Sequence, residues 1–121
     1  MLTRDVGLRG KTYRMDTPAG TAFVTVNRSS GEPFEVFVTV GKSGSEISAV
    51  SEAMGRLISY CLRITDETRE ERFVGIMAQL KDIGGGRVAF HGEDEVFSLA
   101  DGVARALAID MDMWSEENET A

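Results

Sequence analysis

The sequence predicts an α+β fold: a small antiparallel three-stranded meander, then about three helices packed mainly on one sheet face. Three observations point there. Apolar residues alternate with period two through Ala22, Val24 and Val26, and again through Phe34, Val36, Val38 and Val40. Turn chemistry separates the alternating runs. From Glu46 onward the apolar residues recur at three- and four-residue steps, as a helix requires.

A first strand is expected around Leu8–Arg14, ending at the tight turn Thr17-Pro18-Ala19-Gly20, where Pro18 presets its own φ. The second strand spans Thr21–Asn27. A longer hairpin loop is expected from Asn27 to Pro33, with Gly31 free to take a positive φ. The third strand runs from Pro33 to Val40. A helix over Glu46–Arg63 is then predicted, with Ser43 and Glu46 as its capping box. Its inner stripe is read as Ile47, Val50, Met54, Leu57, Ile58, Cys61 and Ile64.

A second helix is predicted over about Arg69–Asp82, capped by Thr68 with Glu71 and lined by Phe73, Ile76, Met77 and Leu80. Gly84-Gly85-Gly86 should stop it. Short strands are suggested at Arg87–Phe90 and Glu95–Phe97, around the turn His91-Gly92-Glu93-Asp94. Ser98 with Asp101 can cap a third helix whose stripe is Leu99, Val103, Leu107, Met111 and Trp114. One domain over residues 1–109 and an acidic tail over 110–121, frayed or disordered beyond Trp114, complete the organisation.

Composition bounds the function. A chain of 121 residues is one core, and 42% hydrophobic with 27% charged residues is ordinary for a globular protein. No apolar run approaches the ~20 residues that span a bilayer, and no signal peptide is read, so no membrane role is expected. The single Cys forbids an internal disulfide, and a cytoplasmic location is expected. Net charge is −7, and unevenly spread. Residues 1–63 hold eight basic and six acidic side chains, whereas residues 64–121 hold five and fourteen. General nucleic-acid binding is therefore not expected. A basic cluster at Arg4, Arg9, Lys11 and Arg14, beside Tyr13, reads most simply as charges protecting an edge strand.

Two glycine loops are the candidate anion or nucleotide sites. Lys42, Ser43, Gly44 and Ser45 place amides and one ammonium at a helix N-terminus. Walker A spacing fails, because the required first glycine would be Val36, inside a strand. Gly84, Gly85, Gly86 and Arg87 offer close backbone approach and a bidentate cation, although glycines after a helix commonly just end it. Cys61 on an apolar stripe reads as an inert thiol. With one Cys and one His, no structural zinc site can be assembled. Glu93, Asp94 and Glu95 read as solvated acids, and Glu52 with Arg56 as a surface ion pair. No residue is assigned as catalytic, and no metal or cofactor is expected to be bound by this chain.

Several segments together resemble a known family. They are Gly31-Glu32-Pro33-Phe34-Glu35-Val36-Phe37, the Gly41-Lys42-Ser43-Gly44 loop and Glu52-Ala53-Met54-Gly55-Arg56-Leu57-Ile58-Ser59. Gln79-Leu80-Lys81-Asp82-Ile83-Gly84-Gly85 and Ser98-Leu99-Ala100-Asp101-Gly102-Val103-Ala104 extend the match. The chain resembles the TSCPD domain found near the C-terminus of adenosylcobalamin-dependent (class II) ribonucleotide reductases, over roughly Leu8–Leu107. It departs at Leu99, where many members have Cys, and at Ala100, where they have Pro.

The resemblance implies a link to ribonucleotide reduction and so to deoxyribonucleotide and DNA synthesis. Family chemistry needs a thiyl-forming Cys and an electron-delivering Cys pair on a large barrel, which one Cys cannot supply. The implied role is a free-standing, non-catalytic accessory subunit that docks on a reductase's catalytic chain, with adenosylcobalamin on that partner. The alternative is an independent small-ligand or nucleotide-binding regulatory domain. A homo-oligomer that covers the sheet with a second copy is a third reading, since the core is thin.

Overall fold

The computed structural model describes residues 2–41, 45–64, 68–85 and 95–120. Three strands, β1 (Arg9–Thr17), β2 (Gly20–Ser29) and β3 (Glu32–Val40), form one antiparallel sheet in the order β1-β2-β3. Three helices follow: α1 (Glu46–Arg63), α2 (Arg69–Leu80) and α3 (Leu99–Thr120). The architecture is the α+β meander that the alternating and helical periods predicted. Ala22, Val24 and Val26 oppose Val40, Val38 and Val36 in register, and all six are buried on one face. Ile58 and Leu62 of α1, Phe73 of α2 and Leu99, Val103, Ala106 and Leu107 of α3 complete that core.

The β2–β3 connection is tighter than expected. Ser29 pairs with Glu32 around a two-residue loop in which Ser30 (φ 53°) and Gly31 (φ 83°) are both left-handed. Paired positive φ values match the twist of the flanking strands, so the hairpin closes in two residues. The irregularity sits just beyond it: register shifts between Asn27 and Arg28, which oppose Glu35 and Pro33 and leave Phe34 as the extra residue. Pro33 has no N–H for the ladder, and a bulge accommodates it.

The inner stripe expected for α1 is corrected in part: Ile58 is buried and Ile47 and Met54 pack on the core as expected, but three other members do not. Ser51, Gly55, Ile58 and Leu62 are its buried residues, while Val50, Leu57 and Ile64 are 43%, 70% and 37% exposed. The reason is where the helix lies. It runs along the outer edge of β3 instead of across the sheet. Ser59 Oγ accepts from the Val36 N–H (2.9 Å) and donates to the Val36 carbonyl (3.0 Å). At Gly55 an added Cβ would stand 3.0 Å from the Val36 carbonyl oxygen and 3.2 Å from the Val38 nitrogen. Small residues bring the helix against the strand, and Ser59 satisfies edge groups that would otherwise recruit another chain.

The caps largely follow the sequence. Thr68 Oγ1 accepts from the Glu71 N–H and Ser98 Oγ from the Asp101 N–H, as expected. At α1 the cap is Ser45, which accepts from the Ser48 N–H at 3.1 Å; Ser43 lies outside the described residues. α2 stops at Leu80, two residues early, because Asp82 turns left-handed at φ 62° before the glycines are reached. Glu95–Phe97 is not a strand, and Arg87–Phe90 lies outside the described residues. α3 continues through the acidic segment to Thr120, and Asp110 in it is buried. Asp110 is therefore part of the packed domain and not of a solvated tail.

The edge closure has a direct test. Ser59→Ala leaves both backbone groups of Val36 without their partner, and the expected loss is about 1–3 kcal/mol of unfolding free energy in urea titration. An unchanged midpoint would mean that the edge does not need the hydroxyl.

Candidate functional site

Of the two glycine loops, the described residues hold Ser45, Gly84 and Gly85; Lys42, Ser43, Gly44, Gly86 and Arg87 lie outside them. The Ser45 hydroxyl is engaged as the helix cap. Gly84 (φ 91°) and Gly85 press against the Phe97–Ser98 segment. A Cβ on Gly85 would come within 2.6 Å of the Phe97 ring. Close packing within the chain thus already requires both glycines.

Asp101 organises this region. It is fully buried, and its carboxylate accepts from the Asp82 N–H (2.8 Å), the Phe97 N–H (3.0 Å) and Arg105 Nε (2.9 Å). Ser98 Oγ donates to the Ile83 carbonyl at 2.7 Å. The turn after α2 and the entry to α3 are tied to one side chain. Burial pushes the Asp101 carboxyl up, but the two amides and the Arg105 guanidinium outweigh it and hold the group below its ordinary value.

A second buried polar cluster was not read from the sequence. Arg28, on the core face of β2, donates from Nε (3.1 Å) and Nη2 (2.9 Å) to Asp110 Oδ2. Its Nη1 reaches the Gly31 carbonyl (3.0 Å) and Glu70 Oε2 (3.3 Å). The guanidinium also lies over the rings of Phe73 and Trp114. Tyr13 donates to Asp110 Oδ1 at 2.6 Å. Burial first, and then the bond and charge of Asp110, push the Tyr13 hydroxyl well up. The neighbouring cavity, lined by Arg9, Lys11, Arg28, Asp110, Trp114 and Glu117, is about 60 Å³. That is far below the roughly 300 Å³ of a small-molecule site, although an open groove of about 320 Å³ beside it is also lined by Arg9, Arg28 and Trp114. The cluster reads as a joint between β1, β2, α2 and α3. Sequence did carry a signal for it: Arg28 continues the inward register Ala22, Val24, Val26, and Asp110 continues the Val103, Leu107 stripe.

Three of the four cations of the expected basic cluster are paired locally. Arg4 pairs with Glu35 at 2.8 Å, Lys11 with Glu117, and Arg14 with Asp16 at 3.5 Å. Glu52 and Arg56 do form the surface pair, at 3.7 Å. Cys61 is half-buried on α1. No group of three or more His, Cys, Asp or Glu among the described residues could hold a metal ion. None of their helices is long and apolar enough to cross a membrane.

Two further openings reach ligand dimensions. One, of about 400 Å³, lies between the ends of α2 and α3 and is lined by Lys81, Asp82, Asp101 and Arg105 among others. Between the outward face of β3 and α1 lies a groove of about 380 Å³, lined by Phe37, Thr39, Ser48, Glu52, Arg56 and Arg63 among others. It adjoins a sheet face that none of the described helices covers, where Phe23 and Phe37 are half-exposed.

The family model of the TSCPD domain matches residues 3–111, nearly the whole chain. The chain belongs to the TSCPD domain family. No curated protein and no solved structure matches it. TSCPD domains are associated with ribonucleotide reductases. In this TSCPD domain, the family-like Gln79–Gly85 and Ser98–Ala104 segments are the two that Asp101 joins. Folding thus makes use of both segments.

Asp101 gives a pH prediction. A carboxyl lowered by folding adds stability above its unfolded value of about 3.9, lost as pH falls through the folded value. Unfolding free energy should therefore decline below about pH 4. Asp101→Asn should lower the midpoint at neutral pH and flatten that acid limb; parallel pH curves for the two proteins would refute the assignment.

Proposed function

We propose that this chain is a non-catalytic accessory module of an adenosylcobalamin-dependent ribonucleotide reductase, acting by docking on the catalytic chain. The observation that carries the reading is the TSCPD match over residues 3–111, in a chain with one half-buried cysteine. Ribonucleotide reduction needs several reactive thiols, and they would have to come from the partner, as would the cobalamin. The engaged polar groups support the same reading. Arg28, Asp110, Asp101 and Tyr13 are engaged with one another or with backbone, which leaves them a structural role. The module would influence the reductase by contact, through positioning its chain or governing nucleotide access.

A second reading is favoured by the 380 Å³ groove. In it the domain is an independent nucleotide-binding regulator, with the Lys42–Ser45 loop preceding α1 as the anion contact. Saturable binding of a nucleoside triphosphate by the isolated protein, lost in Lys42→Ala, would favour this alternative.

The test of the main reading is capture of the tagged protein from its native host's lysate, with identification of what is bound. The expected result is stoichiometric recovery of a reductase catalytic chain, whose turnover then changes when this protein is added or withheld. Absence of any reductase chain at near-physiological salt would overturn the proposal.

A further inference from the structure

α1 carries two apolar stripes, and only one is used by the fold. The buried one is Ser51, Gly55, Ile58 and Leu62, against β3. The other is Val50, Ala53, Leu57 and Tyr60, at steps of three, four and three residues, followed by Ile64 at the C-cap four residues on. Every member is exposed: Val50 43%, Leu57 70%, Tyr60 60% and Ile64 37%, with Ala53 also open. That spacing is the a/d repeat of a helix that packs lengthwise against another helix.

We infer that this seam pairs two copies of the chain, α1 against α1, about a two-fold axis. Three considerations select a second copy as the occupant. The first is periodicity: lengthwise helix packing needs the same repeat on both helices, and a second copy brings one by construction. The second is area. Closing the four large side chains removes on the order of 400 Å² from each copy, and with Ala49, Ala53, Met54 and Cys61 alongside, the total approaches the ~1,000 Å² at which specific pairing begins.

The third consideration is charge. Each chain carries −7, so two copies repel, and contact is least opposed where the surface is neutral. From Val50 to Ile64 the seam holds no charged residue, and the flanking Glu52 and Arg56 cancel. The small Ala53 beside Leu57 and Tyr60 lets the helices interdigitate. The association is expected to be weak, near the lower bound of interface size, and to strengthen with added salt as the repulsion is screened.

Sedimentation equilibrium of the full chain, from micromolar to near-millimolar concentration at low and moderate salt, tests this. The expected result is a mass rising from one 13.2 kDa chain toward two, at lower concentration when salt is added. Leu57→Glu and Ala53→Glu should each stay at single-chain mass. Both positions are exposed in the single chain, so circular dichroism and urea midpoint should match the parent. A parent that stays monomeric throughout overturns the inference, and so does a dimer that survives both variants. If the parent is monomeric and Leu57→Glu loses capture of a reductase chain, the seam belongs to the reductase. The pairing is then wrong while the accessory-module reading stands.

Discussion

One buried guanidinium holds the layers of this domain together. Arg28 enters the core side of the sheet, where Ala22, Val24 and Val26 precede it on the same strand, and a charge there is tolerated only if its donors are met. They are met from three directions: Asp110 on α3, Glu70 on α2 and the Gly31 carbonyl of the adjoining hairpin. The rings of Phe73 and Trp114 complete the enclosure. Because hydrogen bonds to a planar cation are directional, this group fixes where α2 and α3 sit on the sheet. Hydrophobic burial alone would leave that choice loose.

The consequence for function lies in how the polar side chains are used. Buried, perturbed titratable groups commonly mark active sites; Asp101 would qualify on burial and shifted acidity, half-buried Tyr13 on shifted acidity, and Asp110 on burial alone. Each is bound into a joint between elements: Tyr13 and Asp110 between β1 and α3, Asp101 between the end of α2 and the start of α3. Surfaces remain for interaction. The outward sheet face, the groove beside α1 and the exposed seam of α1 are apolar or neutral, whereas the acidic charge is concentrated in the second half of the chain. These are the surfaces that the docking role proposed above would use.

Much of the fold was legible because period-two and three-four patterns report directly on burial. Ala22–Val26 and Phe34–Val40 gave the sheet and its inner face, and Thr68 and Ser98 gave two helix starts. The reading failed where a partner was invisible. α1 has a long apolar stripe, so a helix laid across the sheet was the natural expectation. Its real contact joins Ile58 and Leu62 in the core to a row of small residues on a strand edge, and Gly55 and Ser59 look unremarkable until the backbone beside them is known. Asp110 was grouped with neighbouring acids, since nothing local distinguishes a carboxylate awaiting an arginine 82 residues away in sequence. The glycine loops were legible as glycines. What they approach was not, and for Gly84 and Gly85 it is the Phe97–Ser98 segment.

The claim that the buried charges are scaffold is tested most directly by a double-mutant cycle on Arg28 and Asp110, read by urea unfolding of Arg28→Met, Asp110→Leu and the pair. Either single change strands a buried charge and should cost about 3–5 kcal/mol. The double variant should cost far less than their sum, because both charges leave together. Additive costs within about 0.5 kcal/mol, or single variants as stable as the parent, would contradict the account and return Arg28 and Asp110 to the candidates for a chemical role.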